Sequence, residues 1–526
     1  MKRFILTTIC TFAALTQVGA QAGKDLARLI QTGDRKEAMR QIRAGADVNQ
    51  AQPDGTSPLH WAVLRVDYEL VQELLQRKAN PSVTNAFGST PVVEAVKLDD
   101  ARMVKLLLDS GASPEGANED QQTALMLAVK AAHLENVRLL IGAGANVNNV
   151  ETFHNQTALM WAAAADRNAV AMVDLLLAKG AKPNARSLYT DWPSQVSSEP
   201  RGQYRPVGGL TALLYAARNG CYECVESLLR AGADVDLPTP EGVTPLMLAL
   251  DNGQNSVAKL LLQNRARPDV WDWWGRTALY IAIERKAASN GGRGGAGRGA
   301  APVAPARGDG QPAVSNMELI TTLLNMGADP NAEMNFHRPS RGGNSGRFGE
   351  TQLSTGCTPL FRAVQANDME VIQALLAKGA DPNINTMGYT AFLQAAGVVP
   401  AGRNGVGAGG TMNRALLDLM LEHGADVNTK VSDSDLYSHH VLYQAPPSRE
   451  GTYALHDAAQ RGNADLVKYL LEHGANPNVV DAQGRKPVDL IGLAGTAAAG
   501  GRGAAAGGGP AGAEIRKLLD AAMARP

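Results

Sequence analysis

Two stretches of the sequence carry side chains at spacings that could do chemistry. Cys221 and Cys224 form a Cys-x-x-Cys motif, and such a pair can exchange a disulfide when its first thiol is exposed at a helix N-terminus. The segment "NGCYECVESLL" does place Cys221 at the predicted start of a helix. Cys224, however, falls where related segments carry a core valine, so we expect a buried structural pair, free or locally bridged.

The second candidate is the pair His439-His440, because Asp433, Asp435 and Tyr437 lie nearby in sequence and could join it around a metal ion. No helical or strand spacing fixes these side chains, so a metal site remains only an alternative here. The sequence offers neither a Ser–His–acid trio nor a pair of catalytic carboxylates. We therefore predict that the protein is not an enzyme and has no catalytic residues, cofactor or metal.

The composition is typical of a soluble, folded chain. Of its 526 residues, 44% are hydrophobic and 19% are charged, and the formal net charge is −1. A chain of this length can hold several domains or one elongated array. Because there is no excess of positive charge, we expect no nucleic-acid partner.

The first residues are typical of a secretory signal peptide. Lys2 and Arg3 precede a short apolar run, and the small residues Gly19, Ala20 and Ala22 suit cleavage after Ala20 or Ala22. The run is shorter than a bilayer span, so an uncleaved anchor is the less favoured alternative. No later apolar stretch approaches ~18 residues, so we expect a mature chain without a membrane span, periplasmic or secreted. The cysteines that remain after cleavage are too few for a disulfide framework.

One phrase recurs along the chain and decides its architecture. Its variants include "DGTSPLHWAV", "FGSTPVVEAV", "QQTALMLAVK" and "WGRTALYIAI". The turn residues Gly55, Gly88 and Gln121 lie 33 residues apart, and we count eleven such starts with longer interruptions among them.

Each recurrence predicts two short helices and a turn. Thr and Pro after the turn cap and begin the first helix, in which a small residue such as Ala62 lets neighbouring helices approach. Paired leucines such as Leu74-Leu75 end the second helix, and glycine follows because that residue must be left-handed. Lys78 and Arg265 replace this glycine, each at a cost on the order of 1 kcal/mol. Since no unit can bury its apolar side alone, the units must stack.

These phrases resemble the ankyrin repeat family over about residues 24–525, apart from the interruptions. The resemblance implies an all-α repeat solenoid of stacked helix-turn-helix-hairpin units in a curved array, about eleven units with several flexible insertions. It implies that His60 and His456, in the TPLH-type position, brace adjacent hairpins. It also implies that the concave groove, lined by first helices and hairpin tips, is the usual protein-binding surface.

Shifts in composition set the boundaries between repeats and insertions. Segments rich in Gly, Pro and Ala cannot bury enough surface to offset their conformational entropy, so we expect them to be flexible. The predicted order begins with a signal peptide (1–22), N-terminal capping helices (23–53), ankyrin repeats 1–4 (54–186) and an insertion (187–208). Next come repeats 5, 6 and the start of 7 (209–286), a Gly/Arg/Ala/Pro-rich flexible insertion (287–314), the second helix of repeat 7 (315–332) and an insertion (333–355). The chain then continues with repeats 8 and 9 (356–428) with a flexible insertion at 397–411, an insertion (429–449), repeat 10 (450–483), and a degenerate C-terminal capping repeat (484–526) with a Gly/Ala tract at 494–513.

The residue before the small alanine of each first helix faces the groove in the family that the chain resembles. In repeats 1–7 this position is apolar or aromatic with one exception, and in repeats 8–10 it is polar. The series is Trp61, Glu94, Leu127, Trp161, Tyr215, Leu248, Ile281, Arg362, Gln394 and Asp457. Exposed apolar patches mark interaction sites. The tip "WDWWG" adds Trp271, Trp273 and Trp274, and tryptophan is favoured at the centres of interfaces.

We therefore predict a non-catalytic protein-protein interaction scaffold outside the cytoplasm, and we expect a monomer. The predicted partner-binding residues are Trp61, Trp161, Tyr215, Leu248, Trp271, Trp273, Trp274 and Ile281. The sequence does not give the identity of the protein partner, and packing of the tryptophans on hairpins or insertions is the competing interpretation. Two other functions stay open: an enzymatic or metal-dependent activity carried by an insertion such as 429–449, and a groove that binds carbohydrate or a small ligand.

Overall fold

The computed structural model describes residues 25–190, 207–289, 313–334, 356–386, 388–398, 412–432, 449–493 and 509–525. The predicted signal peptide and the pair His439-His440 lie outside these residues, as do most residues assigned to insertions. The described chain divides into two units, which meet in sequence at Leu237 and Pro238 and are considered separately below.

Unit 1 consists of successive helix pairs and one short strand pair. Its first helices contact those of the neighbouring pairs, as the stacking prediction requires. The elements are α1 (Leu26–Thr32), α2 (Arg35–Arg43), α3 (Pro58–Leu64), α4 (Tyr68–Gln76), α5 (Pro91–Lys97), α6 (Ala101–Asp109), α7 (Ala124–Lys130), α8 (Leu134–Gly142), α9 (Ala158–Ala164), α10 (Ala169–Ala178), β1 (Tyr189–Thr190), β2 (Val207–Gly208), α11 (Ala212–Asn219) and α12 (Tyr222–Arg230).

Unit 2 repeats the same arrangement. Its first helices α13, α15, α17 and α19 contact one another in sequence order. The elements are α13 (Pro245–Asp251), α14 (Asn255–Gln263), α15 (Ala278–Ser289), α16 (Asn316–Asn325), α17 (Pro359–Gln365), α18 (Met369–Ala377), α19 (Ala391–Ala395), α20 (Arg414–Glu422), α21 (Ala454–Arg461), α22 (Ala464–Glu472), a 3₁₀ helix (Pro487–Leu490) and α23 (Pro510–Met523). The predicted stacking of helix pairs is confirmed in each unit.

Threonine caps begin most first helices, as the repeated phrase predicts. The hydroxyl of Thr123 accepts the Met126 N–H at 3.2 Å, and that of Thr358 accepts the Phe361 N–H at 3.1 Å. Each cap satisfies an amide that the helix leaves without a partner and stabilises by about 1 kcal/mol. Lys78 adopts a left-handed φ of 64° after α4, so the predicted strained conformation is confirmed there.

Two kinds of side-chain bond join consecutive repeats. Nδ1 of His60 accepts the Ser57 N–H at 3.2 Å, and its Nε2–H donates to the Ser89 carbonyl of the next hairpin at 3.0 Å. Asn49 provides the second kind, because its amide donates to the Lys78 carbonyl while its Oδ1 accepts the Asn80 N–H. The other bonds of these kinds are made by His456, Asn148, Asn184, Asn331, Asn383 and Asn428. The predicted role of the TPLH-type histidines is confirmed.

The structure differs from the predicted outline in three places. The predicted all-α solenoid is confirmed, and β1 and β2 add one antiparallel pair of two-residue strands at the two ends of the insertion predicted at 187–208. Helix α15 runs to Ser289, three residues beyond its predicted end, since the alanines there favour continued helix. Helix α23 begins at Pro510, inside the predicted Gly/Ala tract, where proline suits the first helical position. None of the helices described is long and apolar enough to cross a membrane.

Candidate functional site

Two tryptophans of unit 1 occupy the same position in their first helices and are held in the same way. The indole N–H of Trp61 on α3 donates to Oε1 of Gln52 at 3.1 Å. That of Trp161 on α9 donates to Oε1 of Gln156 at 2.7 Å. Both rings are half-buried. Because the polar edge of each indole already has a partner, what remains exposed is mostly apolar ring surface, fixed in orientation in advance.

The support of Trp161 extends to the next repeat of unit 1. The amide nitrogen of Gln156 donates to the Tyr215 hydroxyl at 2.6 Å, and the Lys130 ammonium lies 5.2 Å from the centre of the Trp161 ring. Tyr215 itself is only 8% exposed. The prediction that its ring faces a partner therefore needs correction, because Tyr215 is buried and supports Trp161 through Gln156.

Aromatic side chains at hairpin tips add exposed surface to unit 1. Phe87 is 61% exposed and Phe153 is 64% exposed. Neither Phe153 nor the glutamines were predicted as site residues, although a Gln lies in the hairpin ahead of each tryptophan-bearing helix of unit 1. Single exposed apolar residues are common, but Phe153 lines the same cleft as the oriented indole of Trp161.

The tryptophan cluster of unit 2 divides into an exposed and a buried part. Trp271 is 64% exposed, and Trp273 is half-buried with its backbone N–H donating to the Glu241 carbonyl at 2.7 Å. Trp274 is only 8% exposed, because the Arg276 guanidinium lies over its ring, 5.3 Å from the centre. The prediction of Trp274 as a partner contact is thus corrected to a packing role.

Asp272 holds this tip from within. Its carboxylate accepts the N–H groups of Trp274 at 3.0 Å and Arg276 at 2.9 Å, and Nε of Arg276 at 2.8 Å. The two side chains are 0% and 5% exposed, and Asp251 lies 3.4 Å from the same guanidinium. Pairing with these carboxylates raises the pKa of Arg276, although burial opposes it. The tip is therefore built around a buried ion pair.

The remaining predicted contacts of unit 2 differ in exposure. Leu248 is half-buried, whereas Ile281 is 1% exposed on α15, which packs between α13 and α17. Ile281 is corrected from a partner contact to a core residue. Two of the predicted polar groove positions are also buried. Nε of Arg362 has no hydrogen-bond partner among the residues that the structure describes, and Asp457 forms ion pairs with Arg449 and Arg461.

The cysteines lack the exposure that thiol chemistry needs. Cys221 and Cys224 form a disulfide at the start of α12 and are 4% and 0% exposed, as expected for a structural pair. Burial raises the pKa of the free thiol Cys357 to about 12. Among the residues that the structure describes, no three His, Cys, Asp or Glu side chains lie close enough to hold a metal ion. The candidate pair His439-His440 falls outside them.

Comparison with known families finds ankyrin repeats over more than half of the chain. A model of three ankyrin repeat copies matches residues 26–118, 114–187 and 213–290. A model of many ankyrin repeat copies matches 447–491, and one of a single ankyrin repeat matches 355–387.

Individual relatives are similar only over their repeat regions. A B-cell lymphoma 3 protein homolog of Mus musculus is 31% identical over 133 residues, which are 22% of this chain and 30% of the relative. A phosphocholine transferase, AnkX, of Legionella pneumophila is 23% identical over 278 residues, 52% of this chain and 22% of the relative. The solved ankyrin repeat domain of Bcl-3 is 25% identical with a TM-score of 0.36, covering 43% of this chain and 94% of that one. The chain thus spans less than a third of the length of these two curated relatives.

Proposed function

Since the chain belongs to the ankyrin repeat family, we propose that it is a non-catalytic scaffold outside the cytoplasm that binds a protein partner through its first helices and hairpin tips. One observation carries this proposal: Trp61 and Trp161 take the same first-helix position, with their indole N–H groups bonded to Gln52 and Gln156 and their side chains half-buried, not covered.

This arrangement suits binding better than stability. A ring buried for packing alone would be covered, as Trp274 is. An indole that is half-buried and already held by a hydrogen bond loses little rotamer freedom on binding. Its exposed ring surface can still be buried against a partner. The chain provides two such residues in one unit, with Phe87 and Phe153 exposed on the hairpins. In unit 2 the revised partner-binding set is Leu248, Trp271 and Trp273, without Trp274 and Ile281.

The partner-binding role is tested by capture from an extracytoplasmic extract on immobilised protein. Trp61→Ala and Trp161→Ala should each lower partner affinity by about 30-fold or more, the loss expected at an interface hot spot of about 2 kcal/mol. Tyr222→Ala is the matched control, because Tyr222 is also a half-buried aromatic but lies on the second helix α12. The proposed surface would be refuted if Tyr222→Ala lowered capture as much as the tryptophan changes do, or if neither tryptophan change lowered capture.

The location is tested separately by expressing the chain with residues 1–22 intact. We expect the protein outside the cytoplasm, with Gln21 or Gly23 as its first residue, because the N-terminal sequence suits cleavage at these bonds. A full-length cytoplasmic product would contradict an extracytoplasmic role without affecting the binding result.

A further inference from the structure

A cleft of about 560 Å³ opens beside Trp161 in unit 1. Its volume lies within the range of pockets that hold peptide side chains or small ligands. The residues that give it chemical character are Lys130, Phe153, His154, Gln156, Trp161 and Arg167. We propose that this cleft binds an acidic segment of a partner protein that inserts an aromatic or large aliphatic side chain against Trp161. This inference rests on the proposed function and specifies the chemistry of the partner.

The apolar part of the cleft comes from two rings. Trp161 is half-buried and Phe153 is 64% exposed. The polar atoms beneath them are already in use, since Gln156 accepts from the Trp161 indole and donates to the Tyr215 hydroxyl. An entering apolar side chain therefore meets ring surface and does not have to displace a hydrogen bond of the protein.

The charged part of the cleft favours an anionic ligand. Lys130 and Arg167 are exposed, and in the described part of the chain neither forms an ion pair. The acidic group nearest to the rings, Glu151, is buried, and its carboxylate accepts three backbone N–H groups at 2.8–2.9 Å. Asp166 also borders the cleft and is engaged in an interaction of its own. The cations available to a ligand at this site are thus Lys130 and Arg167.

The same groups argue against a neutral sugar. Stacking on Trp161 would suit a sugar ring, but its hydroxyls would also need fixed acceptors and donors in the wall. Gln156 and Glu151 are the fixed polar groups near the ring, and their oxygens already accept hydrogen bonds. Lys130 and Arg167 also line the cleft as flexible cationic side chains, and carboxylates match these better than hydroxyls do.

The test uses a fluorescein-labelled peptide with one phenylalanine between pairs of aspartates, measured by fluorescence anisotropy on the full chain. A peptide with lysines in place of the aspartates, and one with alanine in place of the phenylalanine, should each bind at least about tenfold more weakly. Binding of the acidic peptide should weaken as salt is raised. Equal binding of the acidic and basic peptides, or no binding of the acidic one, would overturn the proposal.

Variants assign the binding to the cleft. Trp161→Ala and the double change Lys130→Gln with Arg167→Gln should each weaken the acidic peptide by about tenfold, and the double change should also flatten the salt dependence. Arg138→Gln is the matched control, since Arg138 is an exposed cation on the second helix α8. A control effect equal to that of the double change would overturn the assignment.

The outcome is distinguishable from failure of the proposed function. If capture of the natural partner depends on Trp61 and Trp161 but not on Lys130 and Arg167, the scaffold role stands and the acidic-segment inference is wrong. If capture of the natural partner does not depend on Trp61 or Trp161 while binding of the acidic peptide still depends on Trp161, the cleft binds an acidic segment and the proposed function is wrong.

Discussion

The hairpin tip of repeat 7 depends on one buried carboxylate, and replacing it gives a sharp test of the structure. Asp272 accepts two backbone N–H groups and Nε of Arg276, and both side chains are almost fully buried. In Asp272→Asn the amide oxygen can still accept the backbone bonds. The guanidinium, however, loses its closest negative charge and keeps Asp251 at 3.4 Å, which is 19% exposed, together with a weaker Coulomb attraction to Glu284.

We expect Asp272→Asn to lower the free energy of unfolding by about 3 kcal/mol, near the low end of the range for breaking a buried ion pair. The chain contains its own control, because Asp481 and Arg485 make the same three bonds in the last hairpin. Arg485 is 45% exposed and can turn to water, so Asp481→Asn should cost only about 1 kcal/mol.

Native-state hydrogen exchange measures both costs locally. The informative amides are those that bond to each carboxylate, Trp274 and Arg276 in one hairpin and Gln483 and Arg485 in the other. The loss of protection should be larger at repeat 7 by about 2 kcal/mol, and urea unfolding should follow it. If Asp272→Asn lowered the free energy of unfolding no more than Asp481→Asn does, burial of Arg276 would not explain the contribution of this ion pair to stability.

Three further predictions follow from single side chains. Burial lowers the pKa of His60 below its ordinary value of 6.5, so its contribution to stability is full above about pH 6.5 and is lost as the pH falls through 6.5 toward the lower folded pKa. His60→Gln should reduce this loss in thermal unfolding measured across that range, and an unchanged pH dependence would contradict it. Because Trp271 is exposed, Trp271→Ala should change the urea-derived free energy of unfolding by at most about 0.5 kcal/mol. Because Trp274 is buried, Trp274→Ala should lower that free energy by about 3–5 kcal/mol. Equal changes for the two variants would contradict their different burial. Lys78→Gly and Arg265→Gly relieve left-handed backbone and should raise the free energy of unfolding by up to about 1 kcal/mol each; a decrease would show that the native strain is smaller than the unfolded-state cost of glycine.

The repeated phrase was sufficient to predict the helix pairs and their caps, because both depend on neighbours at fixed offsets within the phrase. The histidine braces were predicted from the resemblance to the ankyrin repeat family. Lys78 and Arg265 were also predicted correctly, since a left-handed position after a helix has a local signature. The asparagine bonds between repeats were not foreseen, although residues such as Asn49 recur in phase. Nothing within one repeat shows that this side chain reaches the carbonyl of the next.

The errors in the predicted site arose where burial depends on a second side chain. Ile281 and Leu248 take the same position in their repeats, yet Ile281 is buried in the core and Leu248 is half-buried. Trp274 is covered by Arg276, which is held in place by Asp272. A repeated pattern predicts which face of a helix a residue lies on. Whether another side chain covers that residue depends on three-dimensional contacts between residues that have no fixed spacing in the sequence.

The helix α3 shows how stability and recognition are separated in one repeat. His60 is fully buried and joins the repeat to the next hairpin, while the adjacent Trp61 is half-buried and its indole N–H donates to Gln52. Successive residues of a helix point about 100° apart, so neighbours can serve opposite sides of the same short element. A change at Trp61 therefore leaves the His60 brace intact, whereas a change at His60 weakens the join to the next hairpin. If the scaffold role is right, altered recognition without loss of fold should come from Trp61 and Trp161, and this is the separation that the capture experiment measures.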